Sequence, residues 1–290
     1  MTGKLLRQNL PGYYFIAPAF ILLSVVTVFP YLYALYFSFQ HSVFGRPAGF
    51  CGFDNFIRVI SHPRFPLVIK NQFILVFVSG IFQFLLGFSG ALALKNAAKG
   101  TYVIRSLILI PWVVPGVVCG LLWKWILDGN AGILNMILVM AGITDAYIPL
   151  LSSTRCALPC IIAVNIWRIF PFMMVMYLSA LQSIPTDQYE AACIDGATPF
   201  QQLRYITIPN MMPIIVLTLI LATIWNFKIF DFVWVLTQGG PANATEVFST
   251  LIYKSSFYDL DFGFASAVAV IMAVIITIPI FLNLKFKKSE

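Results

Sequence analysis

Long apolar runs alternate with short polar stretches along this chain, and the runs set its architecture. Crossing a hydrocarbon core takes about 20 helical residues at about 1.5 Å each. Six segments meet that length, at 13–39, 72–94, 104–126, 157–181, 211–236 and 264–284. The fourth contains Arg168 and the fifth reaches Lys228 and Asp231, while the others carry charge only near their ends. The apolar piece 133–140 is too short to cross and is expected at the membrane interface. The connections 40–71, 127–156 and 237–263 are rich in Gly, Pro, Asn and aromatic residues, as ordered irregular loops are. The pattern predicts an all-α polytopic membrane protein, a single six-span domain over 13–284 with tails at 1–12 and 285–290.

One polar insert, 182–210, does not fit a chain built for lipid. Pro185 and Thr186 precede a helical stretch that ends at Gly196, a residue suited to the left-handed position after a helix. A second helix then starts: Thr198 caps it, Pro199 takes the first turn and Gln201 completes a capping box. Pro209 and Pro213 mark the start of the fifth span. On the first helix Tyr189, Ala192, Cys193 and Gly196 share a face, with Glu190 and Asp195 outside it. Small residues there would let another protein's backbone approach closely. An amphipathic helix resting on the bilayer is the alternative, but such helices favour Lys and Arg on their polar face. The acidic edge therefore points to a soluble partner.

Composition agrees with the spans: 60% of the residues are hydrophobic and 10% charged, against about 25% charged in soluble domains. The formal charge of +7 reads as the positive-inside bias of a membrane protein rather than as a nucleic-acid footprint. An inside N-terminus places Lys4, Arg7, Lys95, Lys99, Arg105, Arg204, Lys285, Lys287 and Lys288 in the cytoplasm, together with the 182–210 insert. Arg46, Arg58, Arg64, Lys70, Arg155 and Lys254 then lie outside, and the four in 40–71 pull against this orientation. The run after Lys4 and Arg7 is too long for a signal-peptide core and lacks a cleavage site, so it is expected to be a retained span. Cys51, Cys119, Cys156, Cys160 and Cys193 are odd in number and have no histidine beside them, and His41 and His62 lie in a polar loop. Neither a disulfide framework nor a metal site is expected, and no catalytic constellation is present. A membrane enzyme would cluster His, Asp or Glu near an interface, and a channel has no need of a docking loop.

Within the spans, Asn165, Arg168, Ile169 and Phe172 line one face of the fourth, and Ala222, Trp225, Asn226 and Ile229 repeat the spacing on the fifth. An intramembrane charge costs about 2.5–3.5 kcal/mol on insertion scales and faces a cavity or a partner, so Arg168 belongs inside the bundle. Aromatic faces with amide and guanidinium donors are what sugar sites combine. Packing and interhelical hydrogen bonding account for the same residues equally well. Lys228 and Asp231, three apart, are expected to pair with each other. Arg168 is open to three roles: hydroxyl recognition, pairing with a carboxylate of another subunit, or contact with an anionic sugar. Pro30, Pro111, Pro115, Pro171 and Pro279 permit bends in the spans.

Glu190-Ala191-Ala192, three residues, Gly196, nine residues, Ile206, one residue, Ile208 and Pro209 resemble the EAA loop of permease subunits of binding-protein-dependent ABC importers. The likeness extends through Gly52-Phe53-Asp54-Asn55-Phe56, Trp123-Lys124-Trp125 with Asp128, Gly132-Ile133-Leu134-Asn135 and Leu181-Gln182-Ser183-Ile184-Pro185 to the sugar-importing branch. The stretch 230–241, ending Gly239-Gly240-Pro241, with Thr245 and Asp261-Phe262-Gly263, is similar to the maltose-type first permease of a heterodimeric pair. The resemblance implies a type I importer bundle in a prokaryotic inner membrane, both termini cytoplasmic, moving a sugar or oligosaccharide, or else an anionic sugar derivative or glycerol phosphate. It implies a second permease, an extracytoplasmic solute-binding protein and two ATPase subunits that hold ATP and Mg, with no cofactor on this chain. In the family the EAA helix seats in the ATPase, which gives Glu190, Ala191, Ala192, Asp195 and Gly196 a coupling role. Asn165 and Asn226 fall on maltose-type substrate-contact segments.

Overall fold

The computed structural model describes residues 15–95 and 101–287, with Thr101, Tyr102 and 279–287 described by backbone alone. The expected tail at 1–12 and the last three residues of the expected tail at 285–290, with the charges of Lys4, Arg7, Lys99 and Lys288, lie outside the described residues, and 285–287 continue the last helix instead. The chain divides into two compact units, one of residues up to His62 with Ile252–Ala273, the other of Pro63–Leu251 with the segment from Val274.

The first unit contains α1 (Phe15–Ser38), the strands β1 (Gln40–Val43) and β2 (Arg46–Phe50), and α2 (Asp54–Ile60). The 40–71 connection was expected to be irregular, and it instead forms an antiparallel hairpin followed by a helix. Phe44 and Gly45 supply consecutive positive φ values of 47° and 77°, the geometry of a two-residue hairpin turn. The buried Asn55 amide donates to the carbonyls of Ser38 and Gln40 at 3.1 and 2.8 Å, stapling α2 to the end of α1. Asp261 pairs with Arg58 at 2.7 Å and accepts the Phe264 N–H at 3.0 Å, capping the helix that begins at Phe262. A Cβ on Gly263 would run into the Gln40 carbonyl, so only glycine fits there. The motifs 52–56 and 261–263 are thus one set of staples.

The second unit is a helix bundle. It is built from α3 (Phe65–Lys95), α4 (Thr101–Val113), α5 (Gly116–Ile126), α6 (Ile133–Met140), α7 (Ala157–Gln182), α8 (Thr186–Ile194), α9 (Pro199–Phe227) and α10 (Asp231–Thr237). Two further helices, α11 (Phe248–Phe257) and α12 (Phe262–Lys287), follow in the chain. Gly87 and Gly90 on α3 let α7 close in: a Cβ at Gly87 would lie 2.8 Å from the Met173 Cβ and 3.1 Å from the Met174 backbone nitrogen. Small residues at such crossings are how helices pack when lipid removes the hydrophobic incentive. α7 is the most enclosed of the long apolar helices described, about half-buried along its apolar stretch, while that of α1 is not buried.

α1, α3, α7 and α9 are long and apolar enough to cross a membrane, and the pair α4 and α5 makes a fifth span if counted as one. The expected span 104–126 is a bent pair, turning by 95° between Val113 and Gly116. Pro115 takes an extended backbone there (ψ 140°), and a residue before proline is pushed out of the α region. The expected span 211–236 is corrected at both ends. Its helix starts at Pro199, so Pro209 does not begin it, and it stops at Phe227. Proline would strain a regular helix by its clash with the carbonyl four residues back. α9 absorbs this by widening into a π-helical turn over Leu203–Thr207, and α1 does the same over Ser24–Val28 just before Pro30.

Candidate substrate cavity and docking loop

The break after Phe227 interrupts hydrogen bonding inside an apolar bundle, where orphaned backbone groups cost several kcal/mol. Polar side chains on α3 and α11 repair it. Gln72 Nε2 donates to the Asn226 carbonyl at 3.1 Å while its Oε1 accepts the Phe248 N–H at 3.3 Å. Ser249 donates to the Ile229 carbonyl. Next to this repair, Asn165 donates to Asn226 Oδ1 at 2.8 Å, and Gln83 meets the same amide at 3.4 and 3.2 Å. We expect Gln72→Leu to destabilise the purified protein by about 2 kcal/mol, read as a lowered melting temperature, because it orphans two buried backbone groups.

Beside the break lies a cavity of about 250 Å³, lined by Trp112, Asn165, Arg168, Ile169, Trp225, Lys228, Ile229, Phe230, Asp231 and Phe232. Five of the eight positions expected along the path reach it: Asn165, Arg168, Ile169, Trp225 and Ile229. The other three do not. Phe172 stands between two lining tryptophans, stacked on Trp112 at 5.3 Å and edge-on to Trp225 at 4.9 Å. Ala222 is buried among Met211, Ile215 and their neighbours, and Asn226 is turned into the amide cluster. Helical spacing put these residues on facing surfaces but did not give the depth of each. Trp112, Phe230 and Phe232 were missed because the bend at Pro115 and the break at 228–230 are what turn them inward.

The expected Lys228 to Asp231 ion pair is not formed; among the described residues neither joins an ion pair. The three-residue spacing brings side chains together only on one helix, and the break lies between them: Lys228 ends α9 and Asp231 opens α10. Asp231 is aimed at the start of α5, its Oδ2 2.5 Å from where a Gly116 Cβ would stand. Among the described residues Arg168 likewise makes no ion pair, and its Nε is buried without a hydrogen-bond partner.

Farther along α9, the polar insert folds as its sequence predicts. α8 closes with the Ala197 N–H on the Ala192 carbonyl at 2.9 Å and the Gly196 N–H on Cys193 at 3.1 Å, with Gly196 at φ +77°. Thr198 and Gln201 form both halves of a capping box. Thr198→Ala is expected to speed amide exchange in the first turn of α9 roughly fivefold, the loss of about 1 kcal/mol of capping. The face presented outward differs from expectation. Tyr189 and Ala192 turn inward: the Tyr189 hydroxyl is 2.9 Å from Thr207 and Lys95 sits over its ring at 3.8 Å. Glu190, Ala191, Cys193, Asp195 and Gly196 remain exposed, and Ile194 and Phe200 are 86% and 70% exposed. The tyrosine ring needs burial more than the small residues do, and it sets the rotation of α8.

A further motif is structural. Asn135 holds the Asp128 and Ile148 carbonyls at 3.0 and 2.9 Å, and Asp128 accepts the Asn130 and Ala131 N–H groups at 2.8 Å each. Those two N–H groups hold the exposed Asp128 carboxyl below its ordinary pKa.

The trehalose/maltose transport system permease protein MalF of Thermococcus litoralis is 34% identical over 95% of this chain and 93% of its own. The sulfoquinovosyl glycerol transport system permease protein SmoG of Agrobacterium fabrum is 33% identical over 89% and 83%. A chain of a bacterial ABC transporter involved in the import of the acidic polysaccharide alginate has the same fold, with a TM-score of 0.84 at 24% identity over 98% of both chains. Residues 68–287 match the family described as binding-protein-dependent transport system inner membrane component. The chain belongs to that family, the inner-membrane permease subunits of ABC importers with the six-span type I fold.

Proposed function

We propose that this permease moves a sugar or oligosaccharide into the cell, driven by ATP hydrolysis in two partner subunits that dock on the 186–201 loop. The observation that carries the reading is α9 itself. One continuous helix of 29 residues runs from the capping box at the docking loop to Trp225 and Asn226 at the cavity. At about 1.5 Å per residue it is roughly 40 Å long, enough to connect the two faces of a bilayer. A push on α8 passes to α9 through Tyr189 and Thr207, and to the end of α3 through Lys95. The exposed Glu190, Ala191, Asp195 and Gly196, with Ala192 behind them, form the ATPase contact, and Ile194 and Phe200 add apolar area to it.

A second permease completes the translocation path, and an extracytoplasmic solute-binding protein delivers substrate to it. The N- and C-termini and the docking loop are cytoplasmic. ATP and Mg are held by the partner subunits. The names of the two relatives, for trehalose/maltose and for sulfoquinovosyl glycerol, support a carbohydrate substrate. The cavity supports it too, since Trp112 and Trp225 offer ring faces and Asn165 and Arg168 offer polar contacts. Uptake of a panel of radiolabelled saccharides by cells with and without the gene tests the reading. Loss of uptake of at least one saccharide on deletion is expected, and loss confined to amino acids, peptides or metal ions would overturn it.

A further inference from the structure

We propose that the cavity selects a sugar bearing an anionic group, held by Arg168 and Lys228, a specificity that rests on the carbohydrate reading above and narrows it. Two cations, Arg168 and Lys228, line the cavity, and among the described residues neither joins an ion pair. A half-buried arginine within a membrane-spanning helix is costly and is retained where something answers it, and the exposed Lys228 stands beside it in the cavity lining. Asp231, the acid in the same lining, does not answer it. Its carboxylate lies against Gly116 at the N-terminus of the 11-residue helix α5, whose dipole favours a negative charge. The cavity is left with positive charge in excess, and among the described residues the Arg168 Nε has no acceptor.

Shape limits the ligand further. A volume of about 250 Å³ within this chain gives room for one sugar ring against these residues. Trp112 and Trp225, joined through Phe172, offer that ring an aromatic wall. A guanidinium grips a carboxylate or phosphate through two parallel N–H bonds, and a lysine adds a point charge. The ligand class is a uronic acid, a sugar phosphate or a like acidic sugar, alone or as the end unit of an oligosaccharide.

The test uses the purified transporter, this chain with its companion permease and ATPase subunits, titrated calorimetrically with glucuronate and with its neutral isostere glucuronamide. Wild type should bind glucuronate about tenfold or more tightly than glucuronamide, and Arg168→Gln should bring the two within about twofold of each other. Lys228→Gln should reduce the preference in the same sense. Glucose 6-phosphate in a parallel arm separates phosphate from carboxylate, and tighter binding of either acid supports the proposal. Equal binding of glucuronate and glucuronamide with no gain for the phosphate overturns the anion assignment and leaves the carbohydrate reading standing. Binding of none of these overturns the assignment, and the uptake panel then decides the carbohydrate reading separately. Release of the companion permease by Arg168→Gln would also overturn it, by showing that Arg168 pairs with a carboxylate of that subunit.

Discussion

Gly196→Asp should abolish uptake while leaving the amount of the chain in the membrane unchanged. Gly196 sits at φ +77°, where a side chain costs about 1–2 kcal/mol, and a Cβ there would meet nothing within 4 Å among the described residues. The fold can bear that cost, because the site is at the exposed end of a short helix rather than in the bundle. A docked ATPase cannot bear it equally, since the new side chain and its charge project from the surface that the closing turn of α8 presents. Gly196→Ala should fall between, adding the strain and a methyl group but no charge. Transport of radiolabelled substrate and immunoblots of the membrane fraction check both variants. Normal uptake by Gly196→Asp would contradict docking at this turn.

Gly87→Leu should fail at an earlier stage, by preventing the bundle from forming. The obstacle to a Cβ is the Met173 Cβ at 2.8 Å and the Met174 backbone nitrogen at 3.1 Å, neither of which can swing aside. Overpacking of a core costs about 1–3 kcal/mol when side chains can shift, and more is expected here because α3 and α7 must part along their shared length. Gly80→Leu is the matched control: it is the same exchange on the same helix, and a Cβ there meets nothing within 4 Å. Yield and melting temperature after detergent extraction distinguish them. Gly87→Leu should give little monodisperse protein and Gly80→Leu nearly the wild-type amount.

The docking loop was legible in the sequence because its signals are local. A glycine after a helix and a Thr-Pro-Phe-Gln start each state a backbone geometry within four residues, and both took the expected form. Apolar runs likewise located the spans, since length and hydrophobicity need no tertiary context. The breaks were less legible. Pro115 announced a bend without its angle, and no residue type announces the stop at Phe227, which depends on Gln72 and Ser249 reaching across from other helices to satisfy the freed carbonyls. The cavity inherits that difficulty. Arg168 and Trp225 were visible as unusual residues on a helical face, whereas Trp112, Phe230 and Phe232 became cavity residues only through the bend and the break. Asn226 marks the boundary between the two cases, conspicuous in sequence yet engaged by Asn165 and Gln83 rather than by the cavity.

The coupling of α8 and α9 to an ATPase is tested most directly by isolating the tagged chain from its native membranes under mild detergent and assaying what accompanies it. An ATP-binding subunit should copurify with wild type together with a second permease, and should be lost from Gly196→Asp while that permease stays. Recovery of the wild-type chain without any ATP-binding subunit would contradict the proposed importer mechanism.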